Sequence, residues 1–394
     1  MFVYLDNSAT TKPDDEVTRL VADVMGREFG NPSSLHRMGL CAEKLVKEAR
    51  EAVAASIGAR PEEIYFTSGG TESDNTAIFG AASARRHQGN KIITTAIEHP
   101  AVAEAFSELS RRGWQTVLLG VDRQGRLDLE QLKRELDEQA VFVSIMHVNN
   151  ELGTVQPLAE AAQLIAQANQ GRNANILFHT DAVQSWGKEE IDVRKLPVDL
   201  LSLSGHKIHG PKGIGALYVR KGCNLPPFFF GGGQERGFRS GTENVPAIAG
   251  LGLAARLSKQ RMLENRRRMY EVRRQLAEGI LHAVEGAVIN SPQGEEASPA
   301  ILNVSFPGCR GEVLLHMLEQ KDIYVSTGSA CSSHKKGNRV LSAAGLSPEE
   351  IEGALRFSFS GDTTAEQIDY VLNEVKAAVD SMRRLAGLAG RGKK

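Results

Sequence analysis

The sequence predicts an α/β protein: a large unit with a mostly parallel sheet of seven strands, residues 14–258, and a smaller α+β unit, residues 1–13 and 259–394. Between residues 63 and 219, short apolar runs alternate with longer amphipathic stretches, which is typical of parallel strands covered by helices on both faces. Turns rich in glycine and hydroxyl side chains follow several of these runs. A long helical stretch, about 245–284, then leads into a second set of strands and helices.

The elements of the large unit are bounded by turn and capping signals. The turn Gly30-Asn31-Pro32 ends one helix, and Ser33-Ser34 supplies the cap of the next. From residue 63 the apolar runs have strand length and the stretches between them have helical spacing. The predicted helices are about 14–28, 35–57, 74–85, 100–111, 127–136 and 158–168, and the predicted strands are 3–5, 64–67, 92–95, 117–119, 141–145, 176–179, 198–203 and 214–219.

The elements of the smaller unit follow the same logic. Its predicted helices are 245–284, 311–320, 347–355 and 364–385, and its predicted strands are 299–306, 323–326 and 356–360. The first of these helices is long enough to bridge both units. The tail, 386–394, ends Gly-Arg-Gly-Lys-Lys and is expected to be disordered.

Composition excludes several classes of protein. Lys and Arg number 47 against 48 Asp and Glu, so the near-zero net charge favours neither a nucleic acid nor a membrane surface as partner. No apolar run has the length that spans a bilayer, and the N-terminus has no signal-peptide pattern. Cys41, Cys223, Cys309 and Cys331 are widely spaced, which argues against a disulfide framework or a resident metal site. A cytoplasmic protein is the simplest interpretation.

Lys207 is the first candidate for chemistry. The apolar run 198–203 ends in Ser-Gly-His-Lys, and a glycine-rich turn and a second apolar run, 214–219, follow. This pattern predicts a strand, a loop and a strand, with the lysine held where the first strand ends. A lysine there can form a Schiff base with a carbonyl compound. A solvated lysine in a surface turn is the alternative.

Further polar groups follow other predicted strands. Gly70 and Thr71 lie between a strand and a helix, where backbone N–H groups bind anions. Asp181 and His99 each follow a strand, and therefore face the same edge of the sheet as Lys207. A lysine, an anion-binding turn, an acid and an imidazole are what a pyridoxal phosphate site requires. Each has an ordinary alternative: a turn, a helix cap or a packed histidine.

Cys331 is the candidate nucleophile. It lies in a long stretch of small and polar residues, about 326–339, beside Lys335 and Lys336. Because cysteines are usually buried, a thiol in such a loop is a candidate for reaction. An incidental exposed thiol is one alternative, and half of a metal site with His334 is a weaker one, since two ligands are too few for zinc.

The motifs together resemble the cysteine desulfurases of the NifS/IscS type, which belong to the class V aminotransferases and have the fold-type I architecture of pyridoxal phosphate enzymes. The resemblance covers essentially the whole chain. Its motifs are 4–11 (YLDNSATT), 30–34 (GNPSS), 67–75 (TSGGTESDN), 98–99 (EH), 146–151 (MHVNNE), 181–184 (DAVQ), 204–207 (SGHK), 231–237 (GGGQERG), 239–242 (RSGT) and 328–331 (GSAC). Singly they are weak, but all of them in family order are highly specific.

The resemblance implies a role for each matching residue. Lys207 would hold pyridoxal phosphate and, once displaced by substrate, remove the Cα proton. The residues implied at the cofactor are Gly70, Thr71, Ser204 and His206 at its phosphate, with Thr242 from a second subunit, Asp181 at the pyridine nitrogen, Gln184 at the ring oxygen and His99 on the ring face. Asn150 and Arg356 would hold the carboxylate of the substrate.

The implied reaction converts L-cysteine to L-alanine and leaves a persulfide on Cys331. The implied assembly is a homodimer that passes sulfur to an acceptor protein, either a cluster scaffold or a tRNA-thiolation enzyme, with no direct contact to nucleic acid or membrane. Cys331 could also be a transient ligand of an iron–sulfur cluster.

Two departures from the family leave the acceptor open. The loop after Cys331 lacks the usual Leu-Glu-Pro-Ser run, and the C-terminus lacks the aromatic, acidic tail of the iron–sulfur-assembly members. A selenocysteine lyase or an aminotransferase of the same fold is an alternative enzyme. A sulfur-relay protein, whose main role is a protein–protein complex, is an alternative of another class.

Overall fold

The computed structural model describes residues 1–328, 338–385 and 387, and within them the chain forms twelve strands and eleven α-helices. The strands are β1 (Val3–Tyr4), β2 (Ile64–Thr67), β3 (Lys91–Thr95), β4 (Gln115–Leu119), β5 (Ala140–Ser144), β6 (Leu177–Asp181), β7 (Leu200–Ser204), β8 (Gly215–Val219), β9 (Val288–Ile289), β10 (Ile301–Ser305), β11 (Ile323–Tyr324) and β12 (Ala354–Ser358). The helices are α1 (Asp15–Arg27), α2 (Arg37–Ser56), α3 (Gly70–Arg85), α4 (Pro100–Arg111), α5 (Leu129–Glu135), α6 (Leu158–Ala168), α7 (Val245–Ala283), α8 (Gly311–Glu319), α9 (Arg339–Ala343), α10 (Pro348–Glu352) and α11 (Ala365–Leu385).

Seven strands form one sheet in the order β2-β8-β7-β6-β5-β3-β4. The pairs from β7 through β4 are parallel, whereas β8 is antiparallel to both β7 and β2. The turn between β7 and β8 is too short for the crossover that a parallel pair needs, so the chain reverses there. The prediction of a mostly parallel seven-stranded sheet is confirmed.

Helices cover both faces of this sheet. The helices α1, α2, α6 and the start of α7 pack on one face, and α3 and α4 pack on the other. The strands β3, β5, β6, β7 and β8 are buried along their whole length, as expected for a sheet with two covered faces. This packing leaves the carboxyl ends of the parallel strands as the accessible edge.

A second hydrophobic core surrounds a small antiparallel sheet. In that sheet β10 pairs with β9 and β12, while β1 pairs with β11 in a two-stranded ribbon. Helices α8 and α11 and the last third of α7 pack against these strands. The long helix α7 contributes Ile248 and Leu251 to the first core and Leu276 and Ile280 to the second, so it ties the two cores together.

The predicted helix 347–355 and strand 356–360 have different bounds in the structure. Ser347 and Glu350 form a capping box that starts α10, but the helix ends at Glu352. Pairing with β10 then draws Ala354 into β12, because five backbone partners on β10 outweigh one more turn of helix. The short elements β9 and α9 were not predicted.

Most of the predicted disordered tail, 386–394, lies outside the described residues, which include only Gly387 of it. In the part of the chain that the structure describes, no helix is long and apolar enough to cross a membrane.

Candidate active site

The carboxyl ends of β3, β5, β6 and β7 and the start of α3 enclose a cavity of about 210 Å³. Nine of the twelve residues that the sequence assigned to a site line it: Gly70, Thr71, His99, Asn150, Asp181, Gln184, Ser204, His206 and Lys207. They come from five separate stretches of the chain. The sheet order places these stretches side by side, so residues up to 137 positions apart meet in one cavity.

Lys207 lies in the turn after β7. Its Nζ donates to the backbone oxygen of Ala9 at 2.8 Å and to that of Ser8. Burial, together with the neighbouring cations Lys188 and Arg356, lowers the pKa of Lys207 to about 7. A lysine amine with a pKa near neutrality is a nucleophile and a base at physiological pH.

Asp181 ends β6 and is almost completely buried. Its Oδ1 accepts a hydrogen bond from the backbone N–H of Val183 at 2.9 Å. Burial raises the pKa of Asp181, and His99 and Lys207 oppose that rise when they are protonated. A cationic group placed in the cavity would therefore favour the carboxylate form of Asp181.

His99 both caps a helix and lines the cavity, so the two interpretations of this histidine hold together. Its Nδ1 accepts a hydrogen bond from Ala101 N at 3.1 Å and so caps α4, while its ring lines the cavity. Because Nδ1 is an acceptor in this contact, the proton of the neutral ring is on Nε2. Burial lowers the pKa of His99, which keeps the imidazole neutral.

The start of α3 forms an anion-binding corner. The first N–H groups of a helix have no intrahelical partner, and Ser204 and His206 lie beside them in the cavity wall. A Cβ at Gly70 would come within 2.9 Å of Val183 Cγ2, so only glycine fits there without a shift. Burial lowers the pKa of His206 to about 4, so this imidazole is a neutral hydrogen-bonding group.

A buried polar network under Asp181 escaped the sequence reasoning. Asp74 lines the cavity, and its Oδ1 lies 3.6 Å from His179 Nε2. His179 in turn contacts the hydroxyls of Ser144 at 2.8 Å and Ser202 at 3.0 Å. Burial and the nearby charge of Asp181 raise the pKa of Asp74 well above its usual range. The available signal was helical spacing, since Asp74 is one turn after Gly70 and Thr71.

Arg356 lies beside the cavity and not in its wall. Its Nη1 donates to the backbone oxygen of Asn150 at 2.9 Å, and its Nη2 donates to Asp6 Oδ1 at 2.8 Å. Two buried atoms here have no hydrogen-bond partner among the described residues, Arg356 Nε and Asn150 Oδ1. The two residues assigned to a substrate carboxylate therefore lie in contact, with a free donor on the arginine.

Of the two remaining predicted residues, one lies away from the cavity and the other lies outside the described residues. Thr242 is exposed and lies outside the cavity wall. Cys331 lies outside the described residues. The residues that flank its segment are described: Asn338 Nδ2 donates to Glu151 Oε2 at 3.4 Å, and a Cβ at Gly328 would collide with the same oxygen. Both flanks of the segment therefore meet beside Asn150, at the edge of the cavity.

A larger cleft of about 610 Å³ adjoins the cavity and shares Lys207 with it. Asp14, Lys188 and Arg261 are among its lining residues, whereas Asp181 and His99 are not. The smaller cavity therefore holds the convergent chemical groups.

The residues of the cavity fit pyridoxal phosphate. The buried atoms Asp74 Oδ1, Asn150 Oδ1 and Gln184 Oε1 have no partner within the described residues, although buried polar atoms normally have one. An amine of near-neutral pKa, a helix N-terminus and a buried carboxyl group match the aldehyde, the phosphate and the pyridine nitrogen of that cofactor.

The comparisons with known proteins agree with this geometry. Residues 3–371 match the family model described as aminotransferase class-V. The chain is 44% identical to the cysteine desulfurase IscS of Methanosarcina thermophila, over 98% of this chain and 94% of that protein. A solved structure described as a NifS-like protein superposes with a TM-score of 0.91 at 39% identity, covering 97% of this chain and 100% of that one.

A further solved structure, described as SspA in complex with cysteine, has a TM-score of 0.79 and 34% identity, covering 92% of this chain and 100% of that one. Family model, sequence relatives and structures therefore agree over nearly the full length. The chain belongs to the class-V aminotransferase family and, within it, to the cysteine desulfurases of the NifS/IscS type.

Proposed function

We propose that the protein uses pyridoxal phosphate bound at Lys207 to take sulfur from L-cysteine, giving L-alanine and a persulfide on Cys331. The observation that supports this best is the single cavity in which nine separately predicted residues meet around Lys207. L-Cysteine as substrate agrees with the relatives described as cysteine desulfurases and with the related SspA structure that holds cysteine.

In this proposal each polar wall of the cavity binds one part of the cofactor. Lys207 forms the covalent link, and Gly70, Thr71, Ser204 and His206 bind the phosphate at the start of α3. Asp181 would pair with the pyridine nitrogen, Gln184 with the ring oxygen, and His99 would stack on the ring. The buried Asp181 carboxyl supports its assignment to the pyridine nitrogen.

Lys207 has a second task as the base of the reaction. When bound, the cofactor supplies an electron sink for negative charge at the substrate Cα. Lys207 takes the Cα proton, and its pKa of about 7 allows the amine to be neutral before the transfer and protonated after it. The backbone oxygens of Ser8 and Ala9 accept from the protonated amine. His99 is neutral and carries its proton on Nε2, and it would use this nitrogen to move protons at the cofactor ring.

Sulfur transfer completes the reaction. Arg356 and Asn150 hold the carboxylate of the substrate, so its side chain is directed to the cavity entrance. The Cys331 thiolate attacks the substrate sulfur, and an S–S bond forms as the substrate C–S bond breaks. The electron pair of that bond stays with the carbon fragment, which takes up one proton at Cβ, regains a proton at Cα from Lys207 and leaves as alanine. The contacts of Gly328 and Asn338 at Glu151 support a segment that begins and ends beside the substrate.

The proposed assembly is a cytoplasmic homodimer. Phe228, Phe229 and Phe230 are exposed in one run, and the exposed Thr242 follows on the same stretch. Exposed aromatic runs of this kind mark protein–protein contacts. Sulfur then passes to an acceptor protein, a cluster scaffold or a tRNA-thiolation enzyme, and Cys331 can be a transient cluster ligand. We also propose the division into units 14–258 and 1–13 plus 259–394, which the two hydrophobic cores support.

Mass spectrometry after incubation with L-cysteine tests the proposal. The wild-type protein should gain one sulfur on the peptide that carries Cys331, and a reductant should remove it. Cys331→Ser should retain the absorbance of the bound cofactor and gain no sulfur. Cys223→Ser is the matched control: burial raises the pKa of Cys223 to about 12, so that thiol is protonated at neutral pH and its loss should change nothing.

Two results would contradict the proposal. A wild-type protein that binds the cofactor and gains no sulfur would favour the lyase or the aminotransferase. Full-rate release of sulfur from L-cysteine by Cys331→Ser would remove Cys331 from the reaction.

A further inference from the structure

The strongest unexplained contact beside the cavity joins Asp6 to Arg356. Asp6 Oδ1 accepts from Arg356 Nη2 at 2.8 Å, and the arginine side chain is only 6% exposed. Buried guanidinium groups are stabilised by an anionic partner, and in a pair of this kind the geometry fixes the direction in which the other donors face. None of the roles proposed above uses Asp6.

The backbone around Asp6 is firmly attached to β12, the strand that carries Arg356. Ser358 N donates to Leu5 O at 2.7 Å, Asn7 Nδ2 donates to Ser358 O at 2.8 Å, and Ser8 N donates to Ser358 Oγ at 2.9 Å. Arg356 and Ser358 are two positions apart on β12, so their side chains face the same side of the strand. Asp6 is therefore held at a fixed place relative to the guanidinium.

The same segment reaches the cofactor side of the cavity. Ser8 O accepts from Gln184 Nε2 at 2.9 Å, and Ala9 O accepts from Lys207 Nζ at 2.8 Å. Residues 6–9 thus connect Arg356 to Lys207, and a displacement of Asp6 would shift the contacts of both side chains.

The guanidinium keeps unused donors while Asp6 stays bound. It carries five N–H donors, of which one is used by Asn150 O and one by Asp6. Its Nε is buried and has no partner among the described residues. A substrate carboxylate can therefore bind the free donors without removing Asp6. If Asp6 served only to neutralise Arg356 and occupied all of its N–H groups, no donor would remain for a substrate.

We propose that Asp6 is a positioning residue, which holds Arg356 in the orientation that receives the α-carboxylate of the substrate and so sets the preference for a thiol that carries this group. The inference rests on the proposed function, because it takes Arg356 as the carboxylate ligand. It adds a residue that touches neither substrate nor cofactor and acts through the arginine.

Binding titrations on the holoenzyme test this role without turnover. The absorbance of the bound cofactor is followed as L-alanine, which has the carboxylate and no thiol, or cysteamine, which has the thiol and no carboxylate, is added. Asp6→Asn should raise the Kd for L-alanine about tenfold, since one charge-assisted hydrogen bond that orients Arg356 is weakened. The Kd for cysteamine should stay within twofold of the wild type.

Asp14→Asn is the matched control. Asp14 Oδ2 accepts from Arg261 Nη1 at 2.7 Å, a carboxylate–arginine pair of nearly the same length that lies in the larger cleft. Asp14 also caps α1, and asparagine caps helices equally well. This variant should bind both ligands as the wild type does.

A third variant separates positioning from mere charge. Asp6→Glu keeps the charge but moves the carboxylate by one methylene, so positioning predicts weaker L-alanine binding, whereas charge neutralisation predicts no change. This comparison also serves if Asp6→Asn fails to fold or to retain cofactor.

Unchanged L-alanine binding in the tested variants overturns the role, and tighter binding in Asp6→Asn would make Asp6 a competitor of the substrate. A wild type that forms no persulfide would contradict the proposed function and leave these binding constants interpretable.

Discussion

The two walls of the cavity are built on different electrostatic principles. On the wall from the seven-stranded sheet, Lys207, Asp181 and His99 are desolvated, and burial is the largest cause of each pKa shift. The second wall consists of the N-terminal segment, which lines the cavity through Ala9, together with Arg356 on β12, which lies beside the cavity. This arginine is also buried but is paired with Asp6 at 2.8 Å. On the first wall, burial therefore disfavours the charged form of each group. On the second wall, the charge of the arginine is balanced by a carboxylate.

The difference separates reactivity from recognition. Desolvation lowers the pKa of a lysine and raises that of a carboxyl group, and the pKa of about 7 allows Lys207 to exchange a proton near neutral pH. Pairing orients a guanidinium, and an oriented cation is what a substrate carboxylate needs. Substitutions on the first wall should alter the cofactor and its chemistry, and substitutions on the second should alter the binding of substrate alone.

The largest effect is expected for Lys207→Ala, on the first wall. This variant loses both the covalent link and the base, so persulfide formation should fall about 10⁴-fold and the cofactor absorbance should be lost on gel filtration. The exposed Lys212, five residues later, gives the control Lys212→Ala, which should behave as the wild type. Cofactor that remains covalently bound to the Lys207 variant would show that another amine holds it.

The sequence could predict this first wall because its residues follow strands. The carboxyl ends of parallel strands meet at one edge, so the sequence alone predicts Asp181, His99 and Lys207 together. Asp74 was not expected, because it lies within α3 and only the packing of that helix on β6 and β7 decides which of its residues faces the cavity.

The second wall was harder to predict. The pair of Asp6 and Arg356 joins residues 350 positions apart, and its geometry depends on how β12 pairs with β10 and with the N-terminal segment. A sequence pattern records neither that register nor a single ion pair. The family resemblance assigned Arg356 to the substrate, but it did not indicate what orients it.

A smaller effect is expected for Arg356→Lys, on the second wall. An ammonium group is a point charge and cannot hold Asp6, Asn150 O and a substrate carboxylate with the planar geometry of a guanidinium. The kcat/KM for L-cysteine should fall about 10- to 100-fold, mostly through KM, while the absorbance of the bound cofactor stays unchanged. Arg261→Lys, in the larger cleft, is the matched control. A loss of cofactor in Arg356→Lys would mean that the two walls are not separable.

The smallest expected effect is the pH dependence of cofactor capture, which isolates desolvation on the first wall. Only the neutral amine of Lys207 attacks the aldehyde of pyridoxal phosphate, so with a pKa of about 7 the capture rate of the apoprotein should rise about tenfold from pH 5 to 6. The slope should decrease near pH 7, and the rate should level off above pH 8. The rate is measured by absorbance in stopped flow and divided by that of a free ε-amine compound, which removes the ionisation of the cofactor itself.

Lys188→Met removes a like charge that disfavours protonated Lys207, so the midpoint should move to higher pH. A rate that keeps rising through pH 9 would mean an ordinary, solvated lysine, and the contrast between the two walls would then be wrong.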